Sequence, residues 1–192
     1  DAGRVSQGGF GLFEPIMDRL MDLPLKLVIL GSGEKELEAL FVGYAKKYRD
    51  RIGLFLGFDK RLAHQSEAGS DFFLMPSRYE PCGLNQLYSL RYGTLPLVRS
   101  TGGLADTVRD LDQDPEQGNG FSFLPYSGKA MLSTIERALK LYGDRARFAS
   151  IRQRIMTEDH SWARSAQDYV SLFRAAMERR REGSAPSASR TS

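Results

Sequence analysis

Short apolar runs alternate with amphipathic segments along most of the chain. Leu25-Lys26-Leu27-Val28-Ile29-Leu30 has the length and composition of a buried strand, and Gly31-Ser32-Gly33 ends it before a charged amphipathic helix over Glu34 to Tyr48. The pattern then repeats. Arg51 to Leu56 reads as a strand, Lys60 to Ala68 as a short helix, and Asp71 to Met75 as a strand ending at Pro76. Leu84 to Tyr92 has helical spacing with Gly93 as its stop, and Thr94 to Val98 follows as a strand. Pro96 inside that run argues for an edge or a strand start, because proline cannot donate to a ladder. Residues 110 to 120 read as a surface loop before the strand Phe121 to Leu124, and helices are expected over Gly128 to Leu141, Arg145 to Met156 and Trp162 to about Arg181. Trp162, Tyr169 and Phe173 fall at helical spacing and are expected in the core.

Strands alternating with helices predict an α/β fold with a parallel sheet. At 192 residues, 41% of them hydrophobic, the chain is long enough for one sizeable core, so one domain is expected. Residues 183 to 192 hold four serines and no large apolar side chain and are expected to be a disordered tail. The net charge of +3 gathers largely at Arg179-Arg180-Arg181, which reads as a solvated helix end and gives no reason to expect nucleic acid. No apolar run approaches the length of a membrane span. Cys82 is the only cysteine, which excludes an intrachain disulfide and fits a reducing cytoplasm. One cysteine and two separated histidines give no metal-ligand spacing, and no cofactor motif stands out. The start, Asp1-Ala2-Gly3-Arg4, has no apolar signal region and reads as a cut inside a longer protein.

In parallel sheets ligands sit at the carboxyl ends of strands, so the turns after strands carry the candidate chemistry. In Pro76-Ser77-Arg78-Tyr79-Glu80-Pro81-Cys82-Gly83-Leu84-Asn85 a strand ends, a carboxylate stands before a proline, and a glycine opens a helix. Such a helix start offers free N–H groups and a positive dipole end to a diphosphate, while Glu80 can accept hydrogen bonds from sugar hydroxyls. An ordinary capped helix start explains the same residues. Thr101-Gly102-Gly103 follows another strand and offers backbone N–H groups to a sugar or phosphate, although a Gly-Gly turn is more often only a turn. Phe58, in Gly57-Phe58-Asp59, suits stacking on a purine, although an aromatic at a strand end is more often core. His64 reads as structural, and His160 as part of the capped start of the last helix.

Three runs taken together, Ser77 to Tyr88, Arg91 to Arg99 and Thr101 to Val108, closely resemble the C-terminal domain of the bacterial glycogen synthases and plant starch synthases. The likeness extends more loosely to Leu30-Gly31-Ser32-Gly33, Gly57-Phe58-Asp59 with Ala63-His64, Asn119-Gly120-Phe121, and Ser161-Trp162 with Ser165-Ala166. It implies a Rossmann-like parallel sheet with helices on both faces, the C-terminal half of a GT-B fold, over residues 1 to 182. It further implies a donor-binding domain that transfers glucose from ADP-glucose, with retention and without a metal, to an α-1,4-glucan held mainly by an absent N-terminal domain. The compartment implied is the cytoplasm, or a plastid in a plant. By position, Glu80 would hold the donor glucose, Cys82, Gly83, Leu84 and Asn85 would line sugar and phosphate beside Thr101, Gly102 and Gly103, and Phe58 would take the place of a Tyr stacked on adenine.

The family's Arg and Lys that neutralise the leaving diphosphate fall near Gly3-Arg4-Val5-Ser6-Gln7-Gly8. Arg4 matches the first only with one deletion, and Gly8 occupies the Lys position. Two alternatives stay open: a GT-B enzyme for another nucleotide sugar, since a carboxylate before a Gly-opened helix recurs across that fold, and a non-catalytic module that binds without turnover, which Gly8 favours. The isolated segment is expected to be inactive.

Overall fold

The computed structural model describes residues 8–183. It forms two units, residues up to Thr157 and residues from Glu158 onward. In the first, two 3-10 turns, Phe10–Leu12 and Glu14–Ile16, lead into α1 (Met17–Asp22), and β1 (Leu27–Gly31), α2 (Lys35–Lys47), β2 (Ile52–Leu56), α3 (Lys60–Gly69) and β3 (Phe72–Met75) follow. Next come α4 (Asn85–Tyr92), β4 (Leu95–Arg99), α5 (Gly102–Thr107), β5 (Phe121–Phe123), α6 (Gly128–Gly143) and α7 (Arg145–Ile155). The second unit carries α8 (Trp162–Gly183). Helix α1 and its entry turns were not anticipated from the pattern. The glycines and Pro15 before Met17 break the periodicity there, yet Leu12, Phe13, Ile16, Met17, Leu20 and Met21 are all buried.

Every strand pairing is parallel. β1 pairs with β2 from Leu27↔Ile52 to Gly31↔Leu56, and separately β3, β4 and β5 lie in that order. The expected single sheet is therefore present as a two-stranded and a three-stranded piece. Side-chain alternation divides the larger piece cleanly between two faces. Phe72, Leu74, Leu95, Leu97, Phe121 and Phe123 point into the main core, with Met131, Ile135, Phe148 and Ile151 of α6 and α7. Met75 and Val98 point the other way, onto Leu104 of α5 and Val108. Helices thus cover both faces.

The helix boundaries have identifiable causes. Asp59, Ser127 and Asp144 cap α3, α6 and α7 by accepting hydrogen bonds from the N–H groups of Leu62, Ala130 and Arg147. Gly93 ends α4 in the left-handed region at φ 74°, donating back to Ser89 and Leu90 carbonyls. Pro96 stands at the start of β4, one of the two places expected for it, although β4 is the middle strand of its sheet and not an edge. Leu95 donates to Asp71 O and Ser100 to Phe123 O, so even-numbered residues of β4 face β5. That ladder begins only at Leu97↔Phe121, and the missing N–H of Pro96 falls just before it.

In the second unit, Ser161 accepts from the N–H of Arg164 at 3.4 Å, so the capping falls to Ser161, while His160 pairs with Glu158 at 3.2 Å. The core placement of Trp162, Tyr169 and Phe173 is overturned: they are 87%, 61% and 62% exposed. Their periodicity does mark one apolar helix face, and no part of the helix itself can cover it.

A buried ion pair fastens the loop after α5 to the last strand. Asp110 is buried and accepts from the N–H groups of Asp112 (2.9 Å) and Ser122 (2.7 Å), and Arg137 of α6 reaches it at 3.2 Å while also bonding Asp112 and the Ser122 carbonyl. Replacing Arg137 by Ala leaves that carboxylate buried with uncharged donors alone, the N–H groups of Asp112 and Ser122 and the Ser122 hydroxyl. The expected loss in urea unfolding is about 3 kcal/mol, the low end for breaking a buried pair; a loss indistinguishable from that of an exposed surface pair would show that the cluster contributes little.

Candidate functional site

The site is built where the strands end. Pro76 and Ser77 remain buried beyond β3, and the chain then leaves as the loop from Arg78 to Leu84. Arg99, the last residue of β4, holds this loop: its Nη1 donates to Arg78 O at 2.7 Å and Ser77 O at 3.4 Å, and its Nε to Leu124 O at 3.1 Å. One guanidinium thereby ties together the segments leaving three neighbouring strands. The Arg78 and Arg99 guanidinium groups both lie over the Tyr126 ring, 5.7 and 5.5 Å from its centre.

The loop then meets the Thr101-Gly102-Gly103 turn backbone to backbone. Gly103 donates to Glu80 O at 3.1 Å. A Cβ on Gly102 would stand 2.0 Å from Glu80 O, and one on Gly103 would stand 2.1 Å from Cys82 O, so only glycine permits the approach. Gln86, fully buried in α4, locks the two loops. Its Nε2 donates to Gly83 O at 3.0 Å, to Cys82 O at 3.3 Å and to Thr107 Oγ1 at 3.2 Å, and the Thr107 hydroxyl donates in turn to Gly103 O at 2.6 Å. Gln86 and Arg99 went unremarked in the sequence. The available signal was that Gln86, Ser89 and Leu90 occupy the buried i, i+3, i+4 face of α4, where two polar residues are unusual.

Helix α4 begins at Asn85, with Leu84 as its N-cap and no side chain capping it. Gly83 sits just outside, in the left-handed region at φ 69°. The first-turn N–H groups are thus free of a capping side chain, as an anion-binding helix start requires. Around this point Cys82, Leu84, Asn85 and Gly102 are exposed, and Glu80, Gly83, Thr101 and Gly103 are half-buried. These eight expected site residues therefore come together. Phe58 stands on the other sheet piece, beyond β2, and is 87% exposed, which rules out the core reading. Arg4 lies outside the described residues. Gly9 passes close to this edge, since a Cβ there would meet Pro76 O at 1.9 Å. A separate cavity of about 510 Å³ opens beside α5, lined by Ser100, Ala105, Arg109, Asp114, Ser122 and Leu124 among others, and takes in none of the expected residues. Among the described residues no His, Cys, Asp or Glu side chains gather as a metal site, and no helix is long and apolar enough to cross a membrane.

His64 belongs to a neighbouring cluster between α3 and α4. Its ring packs edge-on against Tyr88 and Tyr92, at 5.7 and 6.2 Å between centres, and its Nδ1 is 3.9 Å from the Glu67 carboxylate. Glu67 has a side chain only 7% exposed, with Oε2 lacking a hydrogen-bond partner among the described residues. Loss of solvation raises its pKa above the ordinary 4.5, and the attraction of His64 offsets part of this.

A two-faced parallel sheet whose loops converge on an open helix start defines a Rossmann-like domain of the GT-B type. Residues 13–154 match the family described as glycosyl transferases group 1, and the chain belongs to that family. Its relatives include a glycogen synthase of Moorella thermoacetica, 49% identical over 178 residues, covering 92% of this chain and 37% of the relative. A glycogen synthase of Halorhodospira halophila is 49% identical over 170 residues, with 88% and 36% covered. The catalytic domain of starch synthase IV from Arabidopsis thaliana, solved bound to ADP and acarbose, superposes with a TM-score of 0.79 at 34% identity, over 90% of this chain and 36% of that one. A sucrose-phosphate synthase from Thermosynechococcus elongatus, at 21% identity and a TM-score of 0.62, shares the fold. The chain thus spans little more than a third of the length of its glycogen synthase relatives.

The Glu67 environment has a pH signature. Because its folded pKa lies above its unfolded one, the folded protein keeps the proton longer, and stability falls as pH rises from about 4.5 through the raised value. Glu67→Gln removes this penalty while keeping the shape. Melting temperatures of the two proteins should match at pH 4, with the variant higher at pH 8; a constant difference at both would show that the carboxylate is not strained by burial.

Proposed function

We propose that this chain is the donor-binding domain of a retaining glucosyltransferase that moves glucose from ADP-glucose to the non-reducing end of an α-1,4-glucan. The observation that carries the reading is the meeting of the Glu80 to Gly83 loop with Gly102 and Gly103 at the open start of α4. Breaking the bond between the glucose anomeric carbon and the diphosphate leaves negative charge on the leaving group. The uncapped start of α4 at the exposed Asn85 offers its N–H to that charge, and a fixed donor of this kind costs no reorganisation during the reaction. The Glu80 carboxylate accepts hydrogen bonds from the sugar hydroxyls and orients the ring. Cys82 and Leu84 line the sugar, Thr101 borders the phosphate side, and Phe58 stacks on the base. ADP in the starch synthase IV structure supports a nucleoside diphosphate here. The acceptor glucan is held mainly by protein outside this segment, so the segment alone binds ADP weakly and transfers nothing. A cytoplasmic enzyme, or a plastid one in a plant, fits this reading.

Gly8 favours a second reading, a module that binds nucleotide sugar without turnover, because it removes a cation from the leaving-group side. Calorimetry with ADP and ADP-glucose, beside a glycogen elongation assay on the full-length protein, separates the two: binding with no elongation selects the module.

Phe58→Ala should weaken ADP binding by about 1–3 kcal/mol, the scale of a base stacked on an aromatic ring. At 87% exposure it should leave the melting temperature unchanged, and Phe58→Tyr should bind normally. Unaltered ADP affinity in the Ala variant would remove Phe58 from the site.

For Glu80→Ala in the full-length protein, turnover should drop far more than ADP affinity, since ADP carries no sugar. Equal losses of ADP and ADP-glucose binding would point instead to collapse of the loop against Gly103.

A further inference from the structure

Helices α3 and α4 are joined by a small aromatic latch. His64, one turn into α3, packs edge-on against Tyr88, one turn into α4, with 5.7 Å between ring centres, and against Tyr92 at the end of α4, at 6.2 Å. The Tyr92 hydroxyl lies 3.4 Å from the His64 Nδ1. Further along, Thr94 donates through Oγ1 to Glu67 O at 2.6 Å and to Ser70 O at 3.0 Å, in the last turn and C-cap of α3. The contacts advance together along the two helices, from His64 with Tyr88 and Tyr92 to Glu67 and Ser70 with Thr94. The helices therefore run in the same direction and begin at the same end. Packed helices lie about 8–10 Å apart, which sets the separation of the two starts.

Different chemistry stands at each start. Before α3 is Phe58, 87% exposed, and at the head of α4 is the uncapped turn at Asn85. An exposed ring has almost no packing to fix where it stands, so Phe58 takes its place from the backbone on either side. On one side Gly57 donates to Gly31 O at 2.9 Å and ties the end of β2 to β1. On the other, Asp59 caps α3 by accepting from the Leu62 N–H at 2.9 Å, so Phe58 moves with α3. Side chains on a helix lean toward its start, so the Tyr88 ring covers the first turn of α4. His64, seated against that ring, relates the position of α3 to the head of α4.

We infer that His64 is a positioning residue for nucleotide binding, an inference that rests on the donor reading above: by seating α3 on α4 it fixes the separation between the Phe58 ring and the start of α4. The ligand class that this spacing measures is a nucleoside diphosphate. A base on Phe58 and a diphosphate at Asn85 belong to one molecule, so binding at the second place is intramolecular once the first is filled. That advantage is lost when geometry forbids both at once. His64 acts through Phe58 and not on the ligand.

The full-length protein and its His64→Ala, Phe58→Ala and doubly substituted variants are titrated calorimetrically with ADP and with inorganic pyrophosphate, which needs only the start of α4. The His64 side chain is 38% exposed, so its removal leaves no closed cavity. His64→Ala should weaken ADP binding roughly tenfold, within the range that a lost aromatic stack allows, and leave pyrophosphate binding as it was. In the Phe58→Ala background the same substitution should cost nothing more, because nothing is left for it to position. Tyr88→Leu, which shortens the opposing side chain and leaves α3 intact, should reproduce the split between the two ligands. Equal losses of ADP and pyrophosphate affinity, or a His64 effect that adds in full to that of Phe58, overturn the inference and leave His64 as ordinary packing between helices. Unchanged ADP affinity in both His64→Ala and Tyr88→Leu does the same. An unsubstituted protein that binds no ADP overturns the donor reading and the inference with it, while the other adverse outcomes strike the inference alone.

Discussion

Parallel pairing is the constraint from which the rest of this chain follows. Two parallel strands cannot be joined by a tight turn, so each connection crosses a face of the sheet and returns to the same end. Every strand then finishes at one edge, and Met75, Arg99 and Phe123 deliver their loops to a common place. The crossovers bury both faces at once, which is why Leu97 and Val98, adjacent in sequence, lie in different apolar clusters. A site at that edge needs no further device to gather its parts. What it needs is a way to hold irregular backbone still.

Three groups do that holding, and each works through carbonyl oxygens. Arg99 satisfies those of Ser77, Arg78 and Leu124, Gln86 those of Cys82 and Gly83, and Gly103 that of Glu80. The result leaves the start of α4 at Asn85 without a capping side chain. The guanidinium of Arg99 is committed to the scaffold, while the loop itself presents the exposed Arg78 beside its oriented peptide groups. For a diphosphate donor, as proposed above, this gives positioning from this domain and leaves added positive charge to be supplied from elsewhere.

Element order was legible in the sequence because it depends on local pattern: strands ending at glycine or proline and helices opening at Asp59, Ser127 and Asp144 each fell within a few residues of their places. The Glu80 to Asn85 loop and the Gly102-Gly103 turn were legible as candidates because their chemistry is written in residue type. Their fastening was not. Whether Gln86 is a solvated helix residue or a buried clamp depends on what α5 places opposite it, and Thr107 is 21 residues away. Pro96 was legible as a strand start and not as part of a middle strand, since its cost depends on where a strand 25 residues later begins to pair.

The exposed apolar residues follow the same logic. Periodicity reports that a residue has an apolar face, while burial requires a surface to receive it, and the two come from different parts of a polypeptide. Trp162, Tyr169 and Phe173 satisfy the first condition and, within their own unit, cannot satisfy the second. Val28 is the more telling case, because its strand is paired on one side and its neighbour Ile29 is in the core. A strand that is half buried and half open is neither an edge designed for water nor a finished interior. It carries no charge, proline or bulge of the kind that protects natural edges from pairing.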